Sequence, residues 1–146
     1  SIVDCLDISE KCGVPVVFDT HHFECYKLLH PMEKFEDPEI YMHAILETRW
    51  KRDIKPKFHV SEQGSGKTGH HSDLIDTIPQ YLLEIPEKFD CSIDIMIEAK
   101  LKEQAIFQLY EKYPILNCKI IKKKLKLNIK AMEWALNCED KCLCCK

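Results

Sequence analysis

The stretch Val14-Pro15-Val16-Val17-Phe18-Asp19 is a short apolar run that ends in a carboxylate. Such a run predicts a buried strand, because a parallel strand covered on both faces lacks polar residues at alternate positions. Two further strands are predicted at residues 56–61 and 91–98, again short and again ending in polar residues. The intervals between the three runs leave room for a helix in each connection, as parallel pairing requires.

Apolar residues at helical spacing precede, separate and follow these strands. The predicted helices are 2–12, 38–50, 71–83 and 102–113. Gly13 is the left-handed stop expected after the first helix, whereas Pro79 limits the third. Residues 20–37 are predicted as a loop, and the glycine-rich segment 64–69 as a second, mobile loop. Strands that alternate with helices predict an α/β fold with right-handed crossovers and a parallel sheet.

Each predicted strand ends at a side chain that can bind a metal ion: Asp19, His59 or Glu98. The carboxyl ends of parallel strands share one edge of the sheet, which is where α/β folds place their chemistry. His22 and His71 follow the first two strands. Mixed carboxylate and imidazole ligands suit Mn, Fe or Zn better than Mg or Ca. Five ligands exceed the need of one ion, so we expect two or more metals with a phosphate between them.

Lys57 lies two residues before His59 and therefore faces the same side of its strand. A lysine directed into a metal site must be neutralised, screened by carboxylates or chemically modified, because an unpaired buried ammonium is costly. An ordinary lysine that extends to solvent is an equally acceptable interpretation of the spacing alone. His21 and His70, beside two of the candidate ligands, are expected to support those ligands or to lie on a loop surface.

The composition is that of an ordinary globular domain: 146 residues, 45% apolar, 31% charged and a net charge of -3. Its apolar runs are far shorter than the roughly 20 residues of a membrane span. Residues 119–130 hold six of the lysines and no acid, so the rest of the chain is acidic and charge alone does not predict nucleic-acid binding. Four of the nine cysteines crowd the C-terminus without the loop that separates paired zinc ligands, which favours an exposed thiol tail.

The segment Gly64-Ser65-Gly66-Lys67-Thr68 partly matches a phosphate-binding P-loop. That motif needs a glycine at position 61, where this chain has serine, and it leads directly into a helix. A nucleotide-binding protein is therefore a poor alternative.

Four strings resemble the C-terminal motifs of the UV damage endonuclease family, a TIM-barrel group related to the endonuclease IV apurinic enzymes. They are Val16-Val-Phe-Asp-Thr-His-His22, Lys57-Phe-His-Val-Ser61, His71-Ser-Asp73 and Ile95-Met-Ile-Glu-Ala-Lys100. The resemblance implies the C-terminal part of a TIM (β/α)8 barrel at residues 1–113, followed by a Lys- and Cys-rich tail at 114–146. A whole barrel takes about 250 residues, so we expect an incomplete one here.

The resemblance also implies the chemistry. The expected ligands of a cluster of two or three manganese ions, with zinc less expected, are Asp19, His22, His59, His71 and Glu98. Lys57 would be the family's active-site lysine, carboxylated there, and would share the catalytic role with Glu98. The expected reaction is hydrolysis of the phosphodiester 5′ to UV photoproducts in double-stranded DNA, with the metals activating water and neutralising charge on the phosphate.

We expect the chain to be a fragment or a truncated gene product, because the family takes further His and Glu ligands from the N-terminal half of the barrel. The isolated chain should then be nearly inactive. An apurinic endonuclease or a sugar isomerase would share the Asp19-x-x-His22 motif, whereas the Lys57-x-His59 pair favours the UV damage endonuclease. An inactive remnant that binds little manganese is a further alternative. We expect an intracellular protein with no membrane partner.

Overall fold

The computed structural model describes residues 1–48, 50 and 54–116. Three strands form one parallel sheet in chain order: β1 (Phe18–Asp19), β2 (Lys57–Val60) and β3 (Asp94–Ile97). Each strand lies inside the segment predicted for it, and each is shorter than that segment. The predicted α/β class with a parallel sheet is confirmed.

Five helices and one short 3₁₀ turn flank the sheet. They are α1 (Ile2–Cys12), α2 (Thr20–Leu29), α3 (Pro38–Glu47), α4 (Gln80–Phe89), α5 (Glu103–Lys112) and the turn Pro114–Leu116. Helix α1 begins with a reciprocal capping box between Ser1 and Asp4, and it ends at Gly13, which has φ 67°. The predicted first helix and its glycine stop are therefore confirmed. No helix in the described part of the chain is long and apolar enough to cross a membrane.

The predicted loop at 20–37 is wrong over its first ten residues, which form α2. The Asp19 carboxylate accepts hydrogen bonds from the backbone N–H groups of His21 and His22, both at 2.9 Å, and so caps the start of the helix. A carboxylate in this position satisfies donors that have no partner within the helix. Helix α2 buries its own residues Phe23 and Cys25 against the rest of the protein, although the segment has little apolar periodicity.

The predicted helix at 71–83 is also wrong over residues 71–79, since α4 begins only at Gln80. Upstream of that point, the Glu62 carboxylate accepts hydrogen bonds from the backbone N–H groups of Asp76 and Thr77. These bonds replace the ones that a helix would make. Pro79 then immediately precedes α4 as its N-cap residue. A proline is tolerated at the start of a helix because the backbone N–H that it lacks has no partner there.

The core lies between the sheet and the helices. Phe58 and Val60 of β2 are fully buried, and they pack with residues from four other parts of the chain: Met42, Ile45, Ile75, Leu82, Ile85 and Leu109. The alternate residues Lys57 and His59 are only half-buried. The sequence predicted strands that are covered on both faces. Among the described residues, one face of β2 is buried more completely than the other, and the more open face carries the polar side chains.

Candidate metal centre

The carboxyl edge of the sheet brings three ionisable side chains together. Asp19 and His59 lie directly opposite each other where β1 pairs with β2. Glu98 follows β3, and its backbone N–H donates to the Val60 carbonyl oxygen at 3.0 Å, which extends the pairing by one residue. One ligand atom from each of Asp19, His59 and Glu98 can be chosen so that all three lie within 4.8 Å of one another. They form the one group of this kind found among the described residues.

The other two predicted ligands extend this group. His59 Nδ1 lies 2.7 Å from Glu98 Oε1 and 3.8 Å from Asp19 Oδ2. His22 Nδ1 lies 3.7 Å from Asp19 Oδ2, at the start of α2. His71 Nε2 lies 3.7 Å from Glu98 Oε2. The five side chains therefore form one continuous set of contacts, which we call the strand-end cluster.

Backbone hydrogen bonds hold the loop that carries His71 in place. The N–H of Gly64 donates to the carbonyl of His70 at 2.6 Å, and Gln63 and His71 form an isolated antiparallel bridge. A Cβ on residue 64 would overlap the carbonyl group of His71, so only glycine fits there. The N–H of Lys100 donates to the carbonyl of Ser72 at 3.0 Å, which ties this loop to the segment after β3.

The donor set fits a divalent transition metal. Carboxylate oxygens and imidazole nitrogens at the same edge are ligands for manganese, iron or zinc, whereas sites for calcium or magnesium use oxygen alone. Ser61 supports the same conclusion. Its hydroxyl is the one buried side-chain oxygen or nitrogen in the described chain without a hydrogen-bond partner, and it follows His59 by two residues. An ion with its coordinated ligands is one kind of group that satisfies such an atom.

Lys57 lies outside the strand-end cluster. Its ammonium group is 3.0 Å from Asp94 Oδ2, and the two residues are directly opposite each other in β2 and β3. Lys57 is thus screened by a carboxylate, one of the states predicted for it. Sequence reasoning missed Asp94 because its relation to Lys57 depends on the register between two strands. The spacing of Asp94 from Glu98 was the available signal, since residues four apart in an extended chain share a face.

His21 lies behind the cluster. Its side chain is 6% exposed, and its ring meets the ring of His71 edge-on with 5.9 Å between centroids. The Cys25 thiol lies 3.5 Å from His21 Nε2. Burial, reinforced by the neighbouring His71, lowers the pKa of His21. A neutral imidazole packed in this way supports its neighbours, as the sequence suggested for His21.

The C-terminal predictions lie largely outside the described residues. This holds for the basic segment 119–130 and for the clustered cysteines Cys138, Cys142, Cys144 and Cys145. Of the predicted tail, the structure describes only residues 114–116.

The chain is similar in sequence to known UV damage endonucleases. Residues 1–134 match the family model described as UV-endonuclease UvdE. The chain is 36% identical over 113 residues to a protein of Acanthamoeba polyphaga mimivirus assigned to the UV-damage endonucleases, a match that covers 77% of this chain and 33% of the relative. It is also 36% identical over 108 residues to the UV DNA damage endonuclease of Bacillus cereus strain B4264, covering 73% and 32% respectively.

The fold is also similar to a solved structure. The crystal structure of SacUVDE matches with a TM-score of 0.50 and 25% sequence identity, over 76% of this chain and 36% of that one. The chain spans about a third of the length of the curated relatives named above. Because the family model matches all but the last twelve of the 146 residues, the chain belongs to the UvdE family of UV endonucleases.

Proposed function

We propose that this chain is part of a DNA repair endonuclease that hydrolyses the phosphodiester 5′ to UV photoproducts in double-stranded DNA. The observation that carries the proposal is the strand-end cluster, in which two carboxylates and three imidazoles, side chains of the types that bind divalent metals, lie together at the carboxyl edge of a parallel sheet. The relatives named as UV DNA damage endonucleases support the substrate. A protein with this function would act inside the cell, where its substrate is.

The residues of the cluster would hold two or three divalent ions, of which manganese is the proposed one. Glu98 would supply ligand atoms beside both His59 and His71, because its two oxygens face these different imidazoles. Asp19 differs in that a single oxygen, Oδ2, lies near both His22 and His59, while its other oxygen caps α2. When bound, divalent ions activate water and neutralise charge on the phosphate. The protein side chains would hold these ions at the carboxyl edge of the sheet.

Lys57 is the proposed active-site lysine. It precedes His59 by two residues in β2, on the side away from the carboxyl end of the strand. It faces the same side of β2 as His59, and its ion pair with Asp94 holds the ammonium group near that face. Carboxylation of Lys57, which the family resemblance implies, would replace this ammonium with an anion. The ion pair with Asp94 and the modified lysine would therefore be alternative states.

The fold proposed for the complete protein is a TIM barrel, of which residues 1–113 form the C-terminal part. Among the described residues, β1 and β3 each pair on one side only. Strands from an N-terminal half would pair with both outer edges and would bring the further His and Glu ligands of the family. The proposed domain boundary is at residue 113, and residues 114–146 are the Lys- and Cys-rich tail of the sequence. If this half is absent from the natural product, the chain is an inactive remnant.

The test uses the full-length protein, a duplex with one pyrimidine photodimer and the same duplex without damage. We expect a single nick immediately 5′ to the photodimer when manganese is present, and none after chelation. Glu98→Gln and His59→Ala should each lower the rate at least 100-fold, because they remove central ligands of the cluster. His43→Ala, an exposed histidine on α3, is the matched control. Cleavage at abasic sites but not at photodimers would contradict the proposal.

A further inference from the structure

The two loops that carry His71 and Glu98 also carry three exposed lysines. Lys67 lies in the loop between β2 and His71, while Lys100 and Lys102 lie in the segment between Glu98 and α5. The loops are hydrogen-bonded to each other, since the backbone N–H groups of Lys100 and Leu101 donate to the carbonyls of Ser72 and Asp73, both at 3.0 Å. We call Lys67, Lys100 and Lys102 the lysine rim.

The rim is a local exception in an acidic chain. The loop from Gln63 to Ser72 contains one lysine and two histidines but no acidic residue. Lys67 and Lys102 form no ion pair with any carboxylate that the structure describes, whereas Lys100 is 3.9 Å from Asp73. The loops that carry His71 and Glu98 therefore present two exposed ammonium groups that have no carboxylate partner among the described residues.

Lys102 has a backbone conformation that ordinarily belongs to glycine. Its φ is 45° and its ψ is -113°. It occupies the second position of a turn closed by the hydrogen bond from Gln104 N–H to the Leu101 carbonyl, at 2.9 Å. This is the geometry of a type II′ turn, in which glycine is favoured at that position. A side chain with a Cβ is strained here, and such strain is concentrated at functional sites.

We propose that Lys102 and Lys67 bind backbone phosphates of duplex DNA on either side of the cleaved bond. The inference rests on the proposed function, because it takes the DNA of that reaction as the ligand. Phosphate contacts position a nucleic acid without reading its sequence, and lysine serves this purpose as a compact point charge. A substrate that is recognised by damage at one point must be held in register by contacts of this kind on both sides.

The experiment measures binding of the full-length protein to fluorescent duplex DNA in chelator, over a range of salt concentrations. Each phosphate contact contributes about 0.9 to the negative slope of log affinity against log salt. Lys67→Gln, Lys102→Gln and Lys102→Gly should each reduce the slope by about one. Lys102→Arg should retain it. Lys11→Gln is the matched control, since Lys11 is an exposed lysine in the last turn of α1 and lies outside both loops.

Thermal unfolding separates a binding role from a structural one. Lys102→Gly should raise the melting temperature by relieving strain, even though it weakens DNA binding, and Lys102→Gln should leave the temperature close to the wild-type value. Wild-type affinity and slope in the Lys67 and Lys102 variants would overturn the inference, as would an equal effect of Lys11→Gln. Because binding is measured without metal, lysine-dependent binding with no nicking in manganese would contradict only the proposed function. Lesion-specific nicking by the wild type, together with wild-type DNA affinity in the Lys67 and Lys102 variants, would contradict only the proposal that these lysines bind DNA phosphates.

Discussion

At the scale of single residues, side chains that present a ligand atom depend on neighbours that hold them in place. His21 is such a neighbour, because its buried ring packs edge-on against His71 while its backbone N–H is bound by Asp19. The imidazole of His21 contacts the thiol of Cys25 on its other side. The ring of His21 therefore packs between His71 and Cys25, and we expect this packing to support the position of the His71 ring.

Replacement of His21 by alanine should weaken manganese binding by about tenfold, since loss of a residue that orients a metal ligand typically costs 10- to 100-fold in affinity. His43→Ala removes an exposed imidazole from α3 and is the control. Calorimetric titration of the metal-free full-length protein with manganese is the measurement. An unchanged dissociation constant for the His21 variant, in protein that unfolds at the wild-type temperature, would show that His71 needs no such support.

At the scale of secondary structure, Asp19 links the stability of a helix to the chemistry of the site. One of its oxygens caps α2 by accepting two backbone hydrogen bonds, and the other lies near His22 and His59. The cap needs a hydrogen-bond acceptor, which asparagine also provides. A metal ion needs the carboxylate charge, which asparagine lacks.

Asp19→Asn should therefore preserve the fold and lose metal affinity, whereas Asp19→Ala should lose both. We expect a free energy of unfolding within about 0.5 kcal/mol of wild type for the asparagine variant and about 1 kcal/mol lower for the alanine variant. Urea unfolding in chelator measures the stability, and manganese titration measures the affinity. Equal destabilisation by the two substitutions would mean that the negative charge, and not the hydrogen-bond acceptor, begins the helix.

Apolar spacing along the sequence predicted α1, α3, α5 and the three strands. It failed where a single distant or local polar group decides the start of a helix. The Asp19 cap creates α2 in a segment with little periodicity, and the Glu62 carboxylate delays α4 until after Pro79. The strand-end rule brought the five cluster residues together from sequence alone. The same rule did not predict Asp94 or Ser61. The contact of Asp94 with Lys57 depends on the register between β2 and β3, and the unpartnered hydroxyl of Ser61 depends on its burial.

At the scale of the molecule, the described sheet has two outer edges without partner strands. A cavity of about 650 Å³ lies beside β3, between α4 and α5, and its lining is mostly apolar, with Ile95, Ile97 and Leu109 among the lining residues. Unpaired strand edges beside apolar surface favour pairing with further chain. The architecture of the described residues is consistent with the proposal that another part of the complete protein covers this region.

The proposal that the complete protein supplies further ligands leads to the prediction that the 146-residue chain alone does not nick damaged DNA. Manganese favours octahedral coordination, and two carboxylates with three imidazoles supply fewer protein atoms than two such ions accept. We therefore expect weak manganese binding and no lesion-specific nicking by the isolated chain, at protein and metal concentrations where a longer product that includes the N-terminal half is active. The measurement compares both proteins on one photodimer duplex, with Glu98→Gln as the inactive reference. Robust nicking by the isolated chain that Glu98→Gln abolishes would show that the strand-end cluster is sufficient for catalysis.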